Sequence, residues 1–138
     1  MKKYILLSFS LLFALNICGQ STDEDAVIKT LNYYLDGGTN NDFETLKKAF
    51  HEDATMKYIR GDYTAVNALE FFGSRMKPGP AQKRECEITY MDVSGPAAHA
   101  RIEIKYEEFM FVDYMNLLKI DGEWKIVSKI FNRVTFDE

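Results

Sequence analysis

The sequence predicts an α+β fold in which a curved antiparallel sheet wraps around three N-terminal helices and leaves an apolar pocket between them. In the first half of the chain, apolar residues recur at helical spacing. From Glu85 onward, four long segments alternate between apolar and polar residues or are apolar on both faces. The pair Asp121-Gly122 separates the last two segments and is a strong hairpin signal. Helices segregated from an antiparallel sheet are typical of the α+β class.

The composition indicates a globular domain and excludes several classes of function. The chain has 138 residues, of which 46% are hydrophobic and 28% charged, and its formal net charge is −4. This length corresponds to one domain. An excess of acidic residues argues against nucleic acid and against anionic lipid surfaces, because both are bound through Lys and Arg. Two cysteines are too few for a disulfide-rich miniprotein.

The N-terminal segment 1–19 is predicted to be a secretory signal peptide. A basic start at Lys2 and Lys3 precedes an apolar run over Tyr4–Phe13, and cleavage is expected after Gly19. The apolar run is shorter than the roughly 20 residues of a membrane span, so no span is predicted. The protein is therefore expected to be exported, periplasmic or secreted, as a single domain.

Two alternatives remain for this segment. Cys18 could be the lipidated residue of a lipoprotein signal, although such signals prefer a small residue where Ile17 stands. The segment could also be an N-terminal helix of the mature protein. In the preferred interpretation the mature domain is 20–138, with Cys86 as its only cysteine.

The first helix is predicted from its N-terminal capping signal and its apolar spacing. Ser21 and Glu24 form a capping box, and Gly37-Gly38 is expected to end the helix because Gly accepts the left-handed conformation found there. The buried face is predicted to consist of Val27, Ile28, Leu31, Tyr34 and Leu35.

Two more helices and two short strands follow. The second helix is predicted to begin at Asn41 and to end at His51, whose ring would face the negative end of the helix. A short strand over Thr55–Arg60 turns into a second short strand near Tyr63. The third helix begins after Asn67, and the segment Pro78-Gly79-Pro80 stops it.

The remainder of the chain is predicted to form four long strands, and the turn between the last two predicts which of their residues pair. The strands are Glu85–Val93, Ala98–Tyr106, Phe109–Ile120 and Trp124–Val134. A two-residue turn pairs Ile120 with Glu123, so Tyr114 is expected opposite Lys129. One face would then carry Val112, Tyr114, Asn116, Val127, Lys129 and Phe131. The other face would carry Phe111, Asp113, Met115, Leu117, Trp124, Ile126 and Ile130.

Four segments carry a resemblance to a known family. They are Tyr34-Leu35-Asp36-Gly37, Leu46-Lys47-Lys48-Ala49-Phe50-His51, Asp113-Tyr114-Met115-Asn116-Leu117-Leu118 and Gly122-Glu123-Trp124-Lys125-Ile126-Val127-Ser128-Lys129-Ile130-Phe131. In this order they resemble the putative lumazine-binding family of the nuclear transport factor 2-like (SnoaL-like) superfamily, over residues 26–133. The resemblance implies a cone-shaped fold whose sheet and three helices enclose an apolar pocket.

The same superfamily contains ketosteroid isomerases, polyketide cyclases and dehydratases. An isomerase needs a carboxylate base on its first strand and an acid or Tyr opposite it. The resemblance places Tyr58 at the position of the base and Asn116 near the oxyanion position. A dehydratase needs a His–Asp pair in its pocket, whereas His99 lies on the polar face of its strand. No catalytic residue is therefore predicted.

The resemblance implies that the face carrying Lys129 lines the pocket. The predicted ligand-binding residues are Tyr34, Tyr114, Asn116, Lys129 and Phe131. We expect Lys129 to be the polar anchor of this site, because an unpaired buried ammonium is costly. Its alternatives are pairing with an internal acid or reaching solvent along its stem. Asp113 is expected to bind a loop backbone.

These patterns favour an exported, non-catalytic protein that binds a small, flat, partly apolar or aromatic ligand. The alternatives are an enzyme of the isomerase, cyclase or dehydratase type, and a structural or protein-interaction module. No cofactor or metal is predicted, because no zinc-like or calcium-like spacing and no Gly-rich phosphate loop occurs. A homodimer is predicted through the apolar face of Met115, Leu117, Trp124, Ile126 and Ile130.

Overall fold

The computed structural model describes residues 22–136, in which three helices lie against one six-stranded sheet. The predicted signal peptide lies outside these residues. The helices are α1 (Asp23–Thr39), α2 (Phe43–Leu46, continued by the 3-10 turn Lys47–Ala49) and α3 (Ala68–Arg75). The strands are β1 (Phe50–Arg60), β2 (Asp62–Asn67), β3 (Glu85–Ser94), β4 (Ala97–Lys105), β5 (Phe109–Ile120) and β6 (Glu123–Thr135). The predicted α+β order is confirmed.

The sheet is curved and has the strand order β2-β1-β6-β5-β4-β3. Neighbouring strands are antiparallel except β1 and β6, the second and third strands in this order, which run parallel. The helices cover one face, where they bury a core that includes Val27, Leu31, Leu46, Ile102 and Ile126. This inner face and the helices together enclose the space in which the candidate site lies.

Helix α1 begins and ends later than the sequence pattern predicts. The capping box is formed by Thr22 and Asp25, and the helix continues through Gly37 and Gly38 to Thr39. Neither glycine has a positive φ, so neither serves as a left-handed cap. Gly37 instead permits close packing, because a Cβ there would lie 2.4 Å from the backbone nitrogen of Leu46.

The predicted helix-capping role of His51 is wrong. The second helical segment ends at Ala49, and β1 begins at Phe50, five residues before the predicted strand. His51 thus lies on β1, where its Nδ1 is 2.5 Å from the Oδ1 of Asp53. The early start of β1 is explained by its pairing with β6, which places Phe50 beside Ile126.

A β-bulge at Val127 changes the predicted register of the last hairpin. The turn at Asp121-Gly122 is confirmed, and both residues have positive φ. The pairing follows the predicted register as far as Leu117 and Ile126, but Asn116 pairs with Ser128. One extra residue in β6 turns every later side chain to the opposite face. Lys129 therefore lies opposite Met115 instead of Tyr114.

Each face of the hairpin consequently carries residues that were predicted for the other face. The inner face carries Asp113, Met115, Leu117, Trp124 and Ile126, all of which are buried. Four of the five residues predicted to form a dimer interface thus lie in the core, and only Ile130 is on the outer face. Within residues 22–136, no helix combines the length and apolarity that a membrane crossing requires.

Candidate functional site

A cavity of about 220 Å³ lies between the inner face of the sheet and the helices. Its walls are mainly apolar and aromatic, and include Met56, Phe71, Phe72, Ile104, Phe111 and Phe131. Six polar or charged side chains also reach it: Tyr34, Arg60, Gln82, Arg84, Tyr106 and Lys129. A few polar groups set among apolar walls are typical of a small-molecule site.

Three deeply buried polar side chains, those of Tyr34, Asp113 and Lys129, form a hydrogen-bonded triad. The hydroxyl of Tyr34 donates a 2.6 Å hydrogen bond to Asp113 Oδ2, and Lys129 Nζ donates one of 2.5 Å to Asp113 Oδ1. Asp113 is fully buried, and Lys129 is only 4% exposed. Tyr34 and Lys129 line the cavity, while Asp113 lies behind them and holds both.

Burial changes the acid–base properties of this triad. The pKa of the Lys129 ammonium is lowered from its ordinary value, because desolvation outweighs the attraction of the Asp113 carboxylate. The pKa of the Tyr34 phenol is raised well above its ordinary value by desolvation and, secondarily, by the charge of Asp113. The phenol therefore stays protonated at neutral pH and remains a hydrogen-bond donor.

Aromatic rings fix the position of Lys129 and Tyr34. The Nζ of Lys129 lies 4.2 Å from the centroid of the Phe131 ring, which is within the range of a cation–π interaction. The ring of Tyr34 packs edge-on against Phe50 at 5.7 Å and is tilted against Phe72 at 5.9 Å. These contacts hold the two polar groups in place without a ligand.

A second polar cluster lies where α1 ends and the chain enters β3. Arg84 donates hydrogen bonds to Thr39 Oγ1 at 2.8 Å, to the Tyr106 hydroxyl at 3.0 Å and to the Leu35 carbonyl at 3.0 Å. The Tyr106 hydroxyl in turn donates to Gln82 Oε1 at 2.9 Å. This cluster brings a guanidinium group to the cavity wall.

The structure brings three of the five predicted ligand-binding residues to the cavity. Tyr34, Lys129 and Phe131 line it. Tyr114 and Asn116 do not, because they lie on the outer face of β5, where the Nδ2 of Asn116 donates to Ser128 Oγ at 2.9 Å. The bulge at Val127 puts Lys129 and Phe131 on the opposite, inner face. Whether the three cavity residues bind a ligand stays a prediction.

Two site residues were missed from the sequence. Asp113 was expected to bind a loop backbone, but its carboxylate accepts from two side chains, Tyr34 and Lys129. The sequence signal for its partner Lys129 is a shift in the alternation along β6. The inward-facing residues are even-numbered at Trp124 and Ile126 but odd-numbered at Lys129 and Phe131. Arg84 follows a Pro- and Gly-containing loop, in which no periodicity marks a residue as inward-facing.

Among residues 22–136, the site offers no isomerase-type carboxylate on β1 and no metal ligand set. Tyr58, which the family resemblance places at the position of the isomerase base, is half-buried, and its ring centroid lies 4.8 Å from that of Phe131. His99 is on the outer face, where its Nδ1 lies 2.9 Å from the Oδ1 of Asn116. Across residues 22–136, no three His, Cys, Asp or Glu side chains are grouped as a metal site would need.

Comparison with known proteins identifies relatives over nearly the whole described chain. The chain is 28% identical over 115 residues to the aldolase FrzH of a Cladobotryum species, a match that covers 81% of this chain and 92% of that one. A solved nuclear transport factor 2-like protein of unknown function from Methylobacillus flagellatus is 34% identical, with a TM-score of 0.68, over 80% of this chain and 91% of that chain.

A second solved structure, a nuclear transport factor 2-like protein of unknown function from Shewanella baltica, is 29% identical with a TM-score of 0.74. It covers 83% of this chain and 95% of its own. The family model described as putative lumazine-binding matches residues 22–132, which include both polar clusters of the cavity. The chain therefore belongs to the putative lumazine-binding family of the nuclear transport factor 2-like superfamily.

Proposed function

We propose that the protein binds a small, partly apolar organic molecule in the cavity between helices and sheet. The observation that carries this proposal is a preformed apolar cavity with the Tyr34–Asp113–Lys129 triad in its wall. Phe131 and its neighbouring rings would contact the body of the ligand, while the Tyr34 hydroxyl and the Lys129 ammonium would bind its polar atoms. The volume of about 220 Å³ favours a ligand smaller than most drug-sized molecules.

The test is native mass spectrometry of protein purified from its own host without denaturation. We expect an additional mass that is lost on denaturation. Met76→Trp would fill the cavity, which Met76 lines, and should abolish this additional mass. Leu118→Trp makes the same kind of change at an exposed residue outside the cavity and should retain it. An additional mass in both variants would place the ligand elsewhere and contradict the proposal.

An enzyme that acts on carbonyl compounds is the second candidate function. Two observations favour it: a buried lysine with a lowered pKa lines the cavity beside a carboxylate and a phenol, and a relative at 28% identity is named an aldolase. In its deprotonated form, the amine of Lys129 would attack a carbonyl carbon, and the proton that the nitrogen loses would pass to the carbonyl oxygen to give a carbinolamine. The hydroxyl would then leave as water with the remaining N–H proton, which gives an imine.

Borohydride trapping distinguishes this enzyme from a simple binding protein. Incubation with benzaldehyde and sodium borohydride should add one benzyl group at Lys129, located by peptide mass spectrometry. Lys129→Met should lose this modification. Lys57, which is exposed on β1, serves as the control for nonspecific labelling. Labelling of Lys129 no faster than of Lys57 would contradict the enzymatic candidate while leaving the binding proposal intact.

Export before function is also proposed. The supporting observation is the order of a basic start, an apolar run and small residues over positions 1–19. N-terminal sequencing of protein from the host should show a chain that begins at Gln20. A lipid-modified Cys18 at the N-terminus would support membrane anchoring instead, and an intact Met1 would contradict export by this route.

We also propose a homodimer through the outer face of the sheet. Of the five residues predicted to form its interface, only Ile130 is retained. Exposed apolar and aromatic side chains lie on this face: Ile59, Tyr63, Tyr90, Tyr114 and Ile130. The strand register pairs Ile59 with Tyr63 and Tyr114 with Ile130, while Arg101 stands between Tyr114 and Tyr90, and Lys57 stands beside Ile130. We call these five apolar and aromatic residues the outer sheet patch. The helices cover only the inner face, so a second copy of the same face is the proposed cover.

A further inference from the structure

The charges at the cavity wall are predominantly positive although the chain is acidic overall. Arg60, Arg84 and Lys129 all line the cavity, and no Asp or Glu among residues 22–136 does. Asp113, behind the wall, forms an ion pair with Lys129 only. Within the same residues, neither arginine has a carboxylate oxygen within 4.0 Å. The cavity therefore carries uncompensated positive charge.

The guanidinium of Arg84 is held by neutral groups and retains donors for a further partner. Its three hydrogen bonds go to Thr39, Tyr106 and the Leu35 carbonyl. A guanidinium has five N–H donors, so two remain beyond these contacts. Neutral partners fix the orientation of the group without neutralising its charge, as a binding site for an anion requires.

Gly38 provides the space that Arg84 occupies. A Cβ at this position would lie 2.5 Å from Nη2 of Arg84, so any other residue would displace the guanidinium. The backbone of Gly38 has helical conformation, and its carbonyl accepts a 2.8 Å hydrogen bond from Gln82. The glycine therefore serves the close approach of Arg84 and not a turn.

A purely structural role accounts for only part of this arrangement. A cation near the C-terminus of a helix is favourable, and the bond from Arg84 to the Leu35 carbonyl supplies such a contact for α1. That role does not require the guanidinium to line an apolar cavity. The exposed Arg60 adds a second arginine to the same wall, and none of its recorded hydrogen bonds or ion pairs among residues 22–136 is with α1.

We propose that the ligand is an organic anion, such as an aromatic carboxylate, whose charged group meets Arg84 while its body lies among the phenylalanine rings. This inference rests on the proposed function, since it assigns a chemical class to the ligand of the same cavity. Arg60, at the exposed part of the wall, would attract the anion during entry. A neutral molecule of the same shape should bind much less tightly.

The experiment compares two probes of nearly identical shape, 2-naphthoate and 2-naphthamide, by isothermal titration calorimetry at pH 7. We expect the anion to bind at least tenfold more tightly than the amide. Arg84→Gln should reduce the affinity for 2-naphthoate to that for 2-naphthamide and leave the amide unchanged. Arg133→Gln removes the same charge from an exposed residue outside the cavity and should change neither affinity by more than about twofold.

Gly38→Ala provides a second variant in case Arg84→Gln fails to fold. It keeps the arginine but displaces its guanidinium, and it should lower the affinity for 2-naphthoate selectively. If the original protein binds 2-naphthoate no more tightly than 2-naphthamide, and Gly38→Ala changes neither affinity, the inference of an anionic ligand is wrong. The cavity then remains a binding site. If neither probe binds, this inference is contradicted, and the proposed function is decided separately by the additional mass in native mass spectrometry.

Discussion

Tyr34 on α1 is joined to Asp113 on β5 by a 2.6 Å hydrogen bond between two side chains that are almost fully buried. The bond ties the longest helix to the sheet. It uses one carboxylate oxygen and leaves the other to Lys129. Each residue of this triad therefore makes the burial of the others tolerable, since a buried carboxylate without partners would be strongly destabilising.

Removal of Lys129 alone should destabilise the protein. Lys129→Met leaves the Asp113 charge buried with only Tyr34 as partner, and we expect the free energy of unfolding to fall by roughly 3–5 kcal/mol. The double variant Lys129→Met/Asp113→Asn removes both charges and should recover most of this loss. Urea denaturation measures both effects. A single variant as stable as the original protein would contradict the prediction that Asp113 becomes an uncompensated buried charge without Lys129.

The stability of the protein should decrease above pH 10 in part through Tyr34. The pKa of this phenol is raised in the folded state, chiefly by burial, so the unfolded chain loses the proton first, near its ordinary pKa of about 10. The stabilisation is therefore complete below pH 10 and is lost as the pH rises through the folded-state pKa. Chemical denaturation between pH 8 and pH 11 should show a steeper decline for the original protein than for Tyr34→Phe.

Tyr63→Phe is the matched control for this pH dependence. Tyr63 is 65% exposed, so its substitution should leave the decline above pH 10 unchanged. The lowered pKa of Lys129 acts in the opposite direction up to its ordinary value. Because Tyr34 and Lys129 share Asp113, only Tyr63→Phe leaves this contribution unchanged. Equal declines for all three would contradict the assignment of the effect to Tyr34.

Substitution by alanine should lower the stability of the protein at Gly37 but change it little at the adjacent Gly38. Gly37→Ala would place a methyl group 2.4 Å from the Leu46 backbone nitrogen, and the helices would have to separate. We expect a loss of about 1–3 kcal/mol or more. Gly38→Ala meets only the movable end of Arg84, and the gain in helix propensity should keep the stability within about 1 kcal/mol of the original. Thermal unfolding of both variants tests this contrast, and equal losses would overturn it.

The proposed dimer should depend on the outer sheet patch. Ile130 is 51% exposed at its centre, so Ile130→Lys would place a charge in the interface and should yield monomers at micromolar concentration. Sedimentation velocity measures the change. Ile28→Lys introduces the same charge on the exposed surface of α1 and should leave the dimer intact. A monomeric original protein would contradict the proposal directly.

Much of the fold could be predicted because its signals are local. The alternation of Ala98, Ala100, Ile102 and Ile104 with polar residues predicts β4, and these four residues are buried. Asp121-Gly122 predicts the last turn for a reason specific to these residues, their tolerance of positive φ. Such patterns depend on neighbours in sequence and need no knowledge of the rest of the structure.

The site was less predictable because its arrangement follows from a bulge at a single residue, Val127, and this bulge depends on tertiary strand pairing. Strand β6 is paired with β5 on one side and β1 on the other, and both registers are interrupted at this level of the strand. A hairpin considered by itself contains no information about β1. The bulge therefore escaped prediction, and with it the meeting of Asp113 and Lys129. Arg84 escaped because an irregular loop has no period from which its direction could be inferred.

The parallel pairing of β1 with β6 has a consequence for the order in which the molecule assembles. Tyr58 lies beside Phe131, and Phe50 beside Ile126, so this pair of strands joins segments about 75 residues apart. Contacts between such distant segments slow folding, because a long loop must close before they form. Before β6 is synthesised, the strand partner of β1 among the described residues is β2, and a two-stranded hairpin by itself is only marginally stable. We therefore expect the sheet to be completed, and the cavity to form, only after β6 has been synthesised.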